Sequence, residues 1–233
     1  MFLCLDVNGK KRIAASASAA LELRARDLPD PALIRERFRT PGTKPGAFLF
    51  EGFLLENKPV KKRCLEIAGS FVSSRSSVSS NFSNSSNSFG YPGFVPAFDP
   101  GTADLAETYA EEILSWPEQY RLVLFVNEAE AEALARRAFG GTPRAGDWKA
   151  LFGRLGEKGG TVAVKLAEKG AAVFSGGGFY RVETRPVKTA ETTGAGDAFA
   201  AGFLAALLRG LDPEQCGREG NLSARRFLER ETR

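Results

Sequence analysis

The sequence contains no histidine. That absence excludes nucleophilic mechanisms of the Ser-His-Asp or Cys-His kind and every histidine-ligated metal site. Any acid–base chemistry falls to carboxylates, lysine, tyrosine or cysteine. The three cysteines, Cys4, Cys64 and Cys216, are widely spaced. They suggest neither a zinc cluster nor a disulfide framework, and a reducing, cytoplasmic setting fits them. No apolar run reaches membrane-spanning length, and the apolar N-terminus stops at Asp6, too soon for a secretory signal. Long runs of lysine or arginine are also missing. The net charge of +4 is spread along the chain, so nucleic acid is not an expected partner, although mild attraction to phosphorylated ligands is allowed. No G-x-x-x-x-G-K-[ST] loop occurs, which leaves a P-loop NTPase unsupported.

What is present suits one large soluble domain over residues 1–233, with 43% apolar and 26% charged residues. Met1 to Leu5 begins inside an apolar strand, and Val7-Asn8-Gly9-Lys10 is a hairpin signal that returns the chain through Arg12 to Ala15. Residues 31–38 read as a helix after Asp30, 47–55 as a largely buried strand and 60–68 as an amphipathic helix. Strands at 94–98, 121–126 and 161–166 alternate with helices at 104–114, 128–139 and 148–155. A ribbon pairs 171–174 with 179–182, and Val187 is a candidate for one more strand. This alternation predicts an α/β fold with a mainly parallel sheet.

One stretch stands apart. Between Ser70 and Ser88 there are eleven serines and three asparagines. Such composition buries too little apolar surface to offset its chain entropy, so residues 70–92 are expected to be a disordered insertion.

The most informative motif is Thr192-Thr193-Gly194-Ala195-Gly196-Asp197, which runs into a helix at 198–210. Gly194 and Gly196 can expose successive backbone N–H groups, and a helix start adds unpaired donors and the positive end of the macrodipole. A carboxylate there repels phosphate, so Asp197 makes chemical sense as the base that takes a proton from an attacking hydroxyl. The competing reading is a glycine turn with a dipole-stabilised aspartate. Ala198, Ala200, Ala201 and Gly202 would let this helix approach a neighbour closely.

Asp99, Asn127, the turn after Leu166 and the Gly194 turn all fall just past predicted strands or between a strand and a helix. In open α/β sheets this edge binds ligands. Asn127 and Glu130, at i and i+3, share a helix face, and they also fit an ordinary capping box. Asp99 beside Pro100-Gly101 fits an Asx turn as well as a phosphate or Mg²⁺ contact.

ETTGAGDAFAAGF resembles the C-terminal signature of the ribokinase-like, PfkB-type carbohydrate kinases. Asn127-Glu128-Ala129-Glu130 resembles that family's N-x-x-E motif, residues 164–171 its strand-turn segment, and residues 216–221 its last helix near the adenine. The resemblance implies a three-layer α/β/α sandwich and an ATP- and Mg²⁺-dependent phosphotransferase acting on a hydroxyl of a sugar or nucleoside. It assigns Asp197 as catalytic base and Gly194, Ala195 and Gly196 as an anion hole. Asn127, Lys165, Glu168, Gly170 and Asn221 become nucleotide-binding residues and Glu130 the residue that organises Mg²⁺.

Against the family, the N-terminal strands, the glycine-rich acceptor loop and most of the lid are expected to be missing, and a lid-mediated homodimer is correspondingly open. Ala167 stands where glycine is usual. Glu191 replaces an aspartate that helps hold a monovalent cation, which puts potassium activation in doubt. Two rival functions follow: a remnant that binds nucleotide without transfer, and a dinucleotide-dependent oxidoreductase. The second is disfavoured because Phe199 occupies the last glycine position of its G-x-G-x-x-G fingerprint.

Overall fold

Short β-branched and aromatic runs build the centre of the molecule. A computed structural model describes residues 2–7, 10–15, 23–40, 45–70, 94–141, 146–189 and 191–231. Six strands form one sheet: β3 (Gly46–Glu51), β4 (Phe94–Asp99), β5 (Val123–Asn127), β6 (Thr161–Lys165), β7 (Ala171–Ser175) and β8 (Gly178–Val182). They lie in sequence order, parallel from β3 to β6 and antiparallel from β6 to β8. β1 (Phe2–Val7) and β2 (Lys10–Ala15) pair antiparallel in a separate sheet, with Val7 opposite Lys10. The expected hairpin therefore forms.

The helices are α1 (Pro31–Arg39), α2 (Lys58–Gly69), α3 (Ala103–Thr108), α4 (Ala110–Gln119), α5 (Glu128–Phe139), α6 (Trp148–Glu157), α7 (Ala195–Leu208) and α8 (Pro213–Glu231). Alternate residues of each central strand feed two separate cores, as the two-residue period of a strand requires. Phe98, Leu124, Val126, Val162 and Val164 pack with Val60, Ile113, Trp116, Leu134 and Phe152 from α2 and α4–α6. Ala97, Val123, Phe125, Ala163 and Val173 pack with Phe199, Phe203, Leu207 and Cys216 from α7 and α8. The result is a three-layer α/β/α sandwich, as expected. The inner strands β4 and β7 are buried along their whole length, whereas the edge strands β3 and β8 alternate between exposed and covered residues.

The structure departs from the sequence expectations in several places. The strand expected over 47–55 ends at Glu51, and the chain turns into a 3₁₀ segment at Gly52–Leu54. Gly52 allows this turn to lie against the next strand's end: a Cβ there would stand 2.0 Å from the Pro100 carbonyl oxygen. The helix expected at 104–114 is two helices, broken at Tyr109 (φ −108°, ψ 21°). Residue 187 lies outside any strand. Apart from Ser70, which follows α2, the serine-rich segment lies outside the described residues. Helix α7 starts at Ala195, a turn earlier than the alanine-rich run suggested, so Asp197 lies inside its first turn.

Close approach of α7 and α8 depends on small residues. A Cβ on Gly202 would lie 2.2 Å from Ser223 Oγ and 2.6 Å from the Glu219 carbonyl oxygen. We expect Gly202→Ala to lower the unfolding free energy by about 1–2 kcal/mol despite alanine's better helix propensity, because overpacking outweighs it. Urea unfolding measures the difference, and an unchanged or higher midpoint would contradict the packing described.

Candidate active site

Strand ends and a helix start converge on one rim of the sheet. In the β3–β4 register Glu51 stands opposite Asp99, and in the β5–β6 register Asn127 stands opposite Lys165. Four neighbouring strands thus each deliver a polar residue at the carboxyl edge. On the face packed by α7, a Cβ on Gly196 would stand 3.3 Å from Lys165 Nζ. The lysine at the end of β6 therefore lies beside the first turn of α7.

Local chemistry fixes each group. Lys165 Nζ donates to Asp99 Oδ2, and Asp99 Oδ1 accepts from the Gly101 backbone N–H at 3.0 Å. Both side chains of this ion pair are largely covered, 15% and 10% exposed. Asn127 caps α5 reciprocally: its Oδ1 accepts from the Glu130 N–H at 2.9 Å. Both Glu130 carboxylate oxygens accept in return, from the Asn127 backbone N–H at 2.8 Å and from Nδ2 at 2.7 Å. The capping box is thus real, and it does not compete with a functional role, since it holds a carboxylate in place. Glu130 is only 1% exposed. Burial pushes its carboxyl up to about 7 and Asp99 adds to the rise, while Lys165 and the bonds from Asn127 pull it back.

The helix start is arranged to leave donors unused. Gly194 takes φ +87°, and a Cβ there would strike the Phe227 ring at 2.8 Å. The Ala195 N–H is bonded to the Thr192 carbonyl at 3.1 Å, so it is engaged within the turn. Among the described residues the N–H groups of Gly196 and Asp197 meet no acceptor. Glu191 braces the approach: one of its carboxylate oxygens accepts from the backbone N–H groups of Thr192 (2.9 Å) and Thr193 (2.8 Å). Asp197 itself is exposed.

Other candidate positions have structural duties. Asn221 is buried, and its Nδ2 donates to the carbonyls of Val182 (3.2 Å) and Glu183 (3.3 Å), tying α8 to the end of β8. Gly170 closes the turn after β6 at φ +88°, where a Cβ would stand 2.1 Å from the Val182 carbonyl oxygen. Glu168 is exposed on that turn. Ala167 adopts φ +50°, the left-handed region that favours glycine.

Glu51 is the site residue that sequence reasoning missed. Glu51 is exposed at the strand end, and partial desolvation raises its carboxyl first, followed by the charges of Asp197 and Asp99, with Lys165 opposing. It therefore belongs to the same electrostatic group as the helix start. The available signal was an acidic residue ending an apolar strand at the rim where ligands bind.

Among the described residues, no three carboxylate or cysteine side chains converge as a metal cage. The donors near Lys165 are hard oxygen ligands, which suits Mg²⁺ held by one or two carboxylates together with phosphate and water. No helix among the described residues is long and apolar enough to cross a membrane.

The fold and this rim define a ribokinase-like α/β/α architecture with a glycine-rich helix start at the carboxyl edge of its sheet. The sequence profile of the pfkB family carbohydrate kinases matches residues 65–231, and the chain belongs to that family. The chain is 46% identical over 69 residues to an uncharacterized sugar kinase of Archaeoglobus fulgidus, a stretch covering 30% of this chain and 28% of that one. It is 32% identical over 137 residues to the cytidine kinase of Thermococcus kodakarensis, covering 55% and 47% respectively. The Sinorhizobium meliloti adenosine kinase structure superposes with a TM-score of 0.66 at 24% identity, over 90% of this chain and 54% of that one. The Thermotoga maritima ribokinase superposes with a TM-score of 0.58 at 23% identity, over 94% and 59%. The matched stretch is thus less than half of those curated relatives.

Two expectations follow. Ala167→Gly should relieve the left-handed strain, offset in part by greater freedom of the unfolded chain, and raise stability by about 0.5–1 kcal/mol. A thermal melt that fails to rise would contradict the backbone described.

The second concerns pH. Glu130's folded value lies above the ordinary 4.5, so between about 4.5 and 7 the folded state keeps a proton that the unfolded chain has released. Stability from this group is therefore complete below that window and falls as pH rises through it. Without divalent cations, urea unfolding should weaken by roughly 1–3 kcal/mol between about pH 5 and pH 8. Glu130→Gln should show a smaller decline, and an equal decline in both proteins would assign it to other groups.

Proposed function

We propose that this protein transfers the γ-phosphoryl group of ATP to a hydroxyl of a sugar or nucleoside. The observation that carries this reading is the first turn of α7: two N–H groups without a partner among the described residues, at Gly196 and Asp197, beside the ammonium of Lys165 and a carboxylate open to solvent. Family membership supports the same reaction class. Phosphoryl transfer depends mainly on positioning and charge stabilisation, and these groups supply both. Asp197 orients the acceptor hydroxyl and takes its proton. The Gly196 and Asp197 N–H groups, with Gly194 shaping the turn, hold the charge that develops on the transferred phosphoryl.

Lys165 offsets the carboxylates of Asp99, Glu51 and Asp197 so that a polyphosphate can approach. Asn127 holds Glu130, and Glu130 would hold Mg²⁺ through its water shell. When bound, that ion supplies neutralisation of phosphate charge. Glu168, Gly170 and Asn221 shape the nucleotide side: Gly170 and Asn221 do so by fixing the turn after β6 and the seat of α8. Glu51, whose carboxyl senses the charge of Asp197, would help receive an acceptor's hydroxyls beside the base. Cys64 and Cys216 are buried and form no disulfide among the described residues, which suits a cytoplasmic setting.

The test is Mg·ATP-dependent phosphorylation of a panel of sugars and nucleosides. Wild type should give product, and Asp197→Asn should lower turnover by about 10²–10⁴-fold while retaining nucleotide affinity. A folded wild type that binds ATP and phosphorylates nothing on the panel would favour a nucleotide-binding protein without transfer.

A further inference from the structure

Asp99 and Lys165 differ in how firmly they are held. Asp99 ends a fully buried strand, and its Oδ1 is fixed by the Gly101 N–H at 3.0 Å. The following backbone is wedged against Gly52, whose Cβ position lies 2.0 Å from the Pro100 carbonyl oxygen. Lys165 has a four-carbon stem, and among the described residues its ammonium meets a single acceptor, Asp99 Oδ2. That ammonium already stands beside Gly196, whose N–H meets no acceptor among the described residues. Any anion seated on this N–H meets the lysine within its reach.

We propose that Lys165 is a two-position residue: paired with Asp99 in the nucleotide-free protein, and transferred to the terminal phosphates of the nucleotide when they occupy the Gly196–Asp197 turn. Asp99 is then a positioning residue. It keeps the ammonium charged, covered and next to the turn, and it competes with phosphate for the same cation. The inference rests on the phosphotransfer reading and adds to it which bond breaks on binding. No covalent change is involved. Polyphosphate displaces one carboxylate from the ammonium, and Asp99 keeps its bond to Gly101. Glu51 stands opposite Asp99 in the strand register and also senses the charge of Asp197, so a lysine that stayed on Asp99 would have its charge offset where the incoming phosphates arrive.

The consequence is a pair of opposite effects. Lys165→Met should weaken binding of Mg·AMP-PNP by about 10- to 100-fold and leave AMP within about two-fold, since AMP lacks the terminal phosphates. Asp99→Asn should tighten Mg·AMP-PNP by several-fold, because the lysine no longer has to leave a charged partner. In the Asp99→Asn/Lys165→Met double variant that gain should vanish.

Calorimetric titration of both nucleotides into the four proteins reads all of this. Melting curves are taken alongside, and the double variant provides a reference in which neither charge is left buried alone. An Asp99→Asn gain of equal size with and without Lys165 would show simple charge repulsion and overturn the exchange. Weaker binding in Asp99→Asn with an unchanged melting curve would overturn it too. A wild type that binds neither nucleotide would overturn the phosphotransfer reading itself, and the exchange with it.

Discussion

The Lys165–Asp99 ion pair is the contact on which the rim of this sheet depends. Glu51, Asp99, Glu130 and Asp197 bring negative charge to one place, and Lys165 opposes it for both Glu51 and Glu130. A largely covered pair of this kind is a weak source of stability, because desolvation consumes most of its Coulombic attraction. Its value lies in location. It holds a cation where strand β6 ends and helix α7 begins, and so makes an acidic rim approachable by an anion.

Packing elsewhere sets the distances at that rim. Phe199, Phe203 and Leu207 seat α7 on Ala97, Phe125 and Ala163, while Gly202 and Gly220 let α8 press against its other side. This packing sets the N-terminus of α7 beside the end of β6. On the opposite face, Trp116, Phe98 and Phe50 form a tilted and edge-on aromatic cluster that locks β3 and β4 to α4. The two cores work on one sheet, and the polar residues that matter lie where both cores end.

Much of this was legible in the residues. Central strands such as those ending at Asn127 and Lys165 announced themselves by short β-branched runs, and Asp197 by the glycines before it. The break at Tyr109 was not legible, because alanine and glutamate on either side carry helical propensity that tertiary packing overrode. The strand end at Glu51 was hidden for a similar reason: the following Phe53, Leu54 and Leu55 are as apolar as the strand, and what turns the chain is contact with Pro100. Sequence spacing also could not say which N–H groups of the glycine turn are free. The structure gives the Ala195 donor to the Thr192 carbonyl and leaves the Gly196 and Asp197 donors without a partner among the described residues.

The claim that these groups form one phosphate site is tested most directly by following backbone amide signals during titration with Mg·ATP and, separately, with AMP. The account predicts that Gly196 and Asp197 shift most with Mg·ATP, together with residues flanking Lys165 and Asp99, and that AMP leaves Gly196 and Asp197 nearly unmoved. Saturable binding that shifts residues elsewhere while leaving the Gly196–Asp197 amides in place would contradict it.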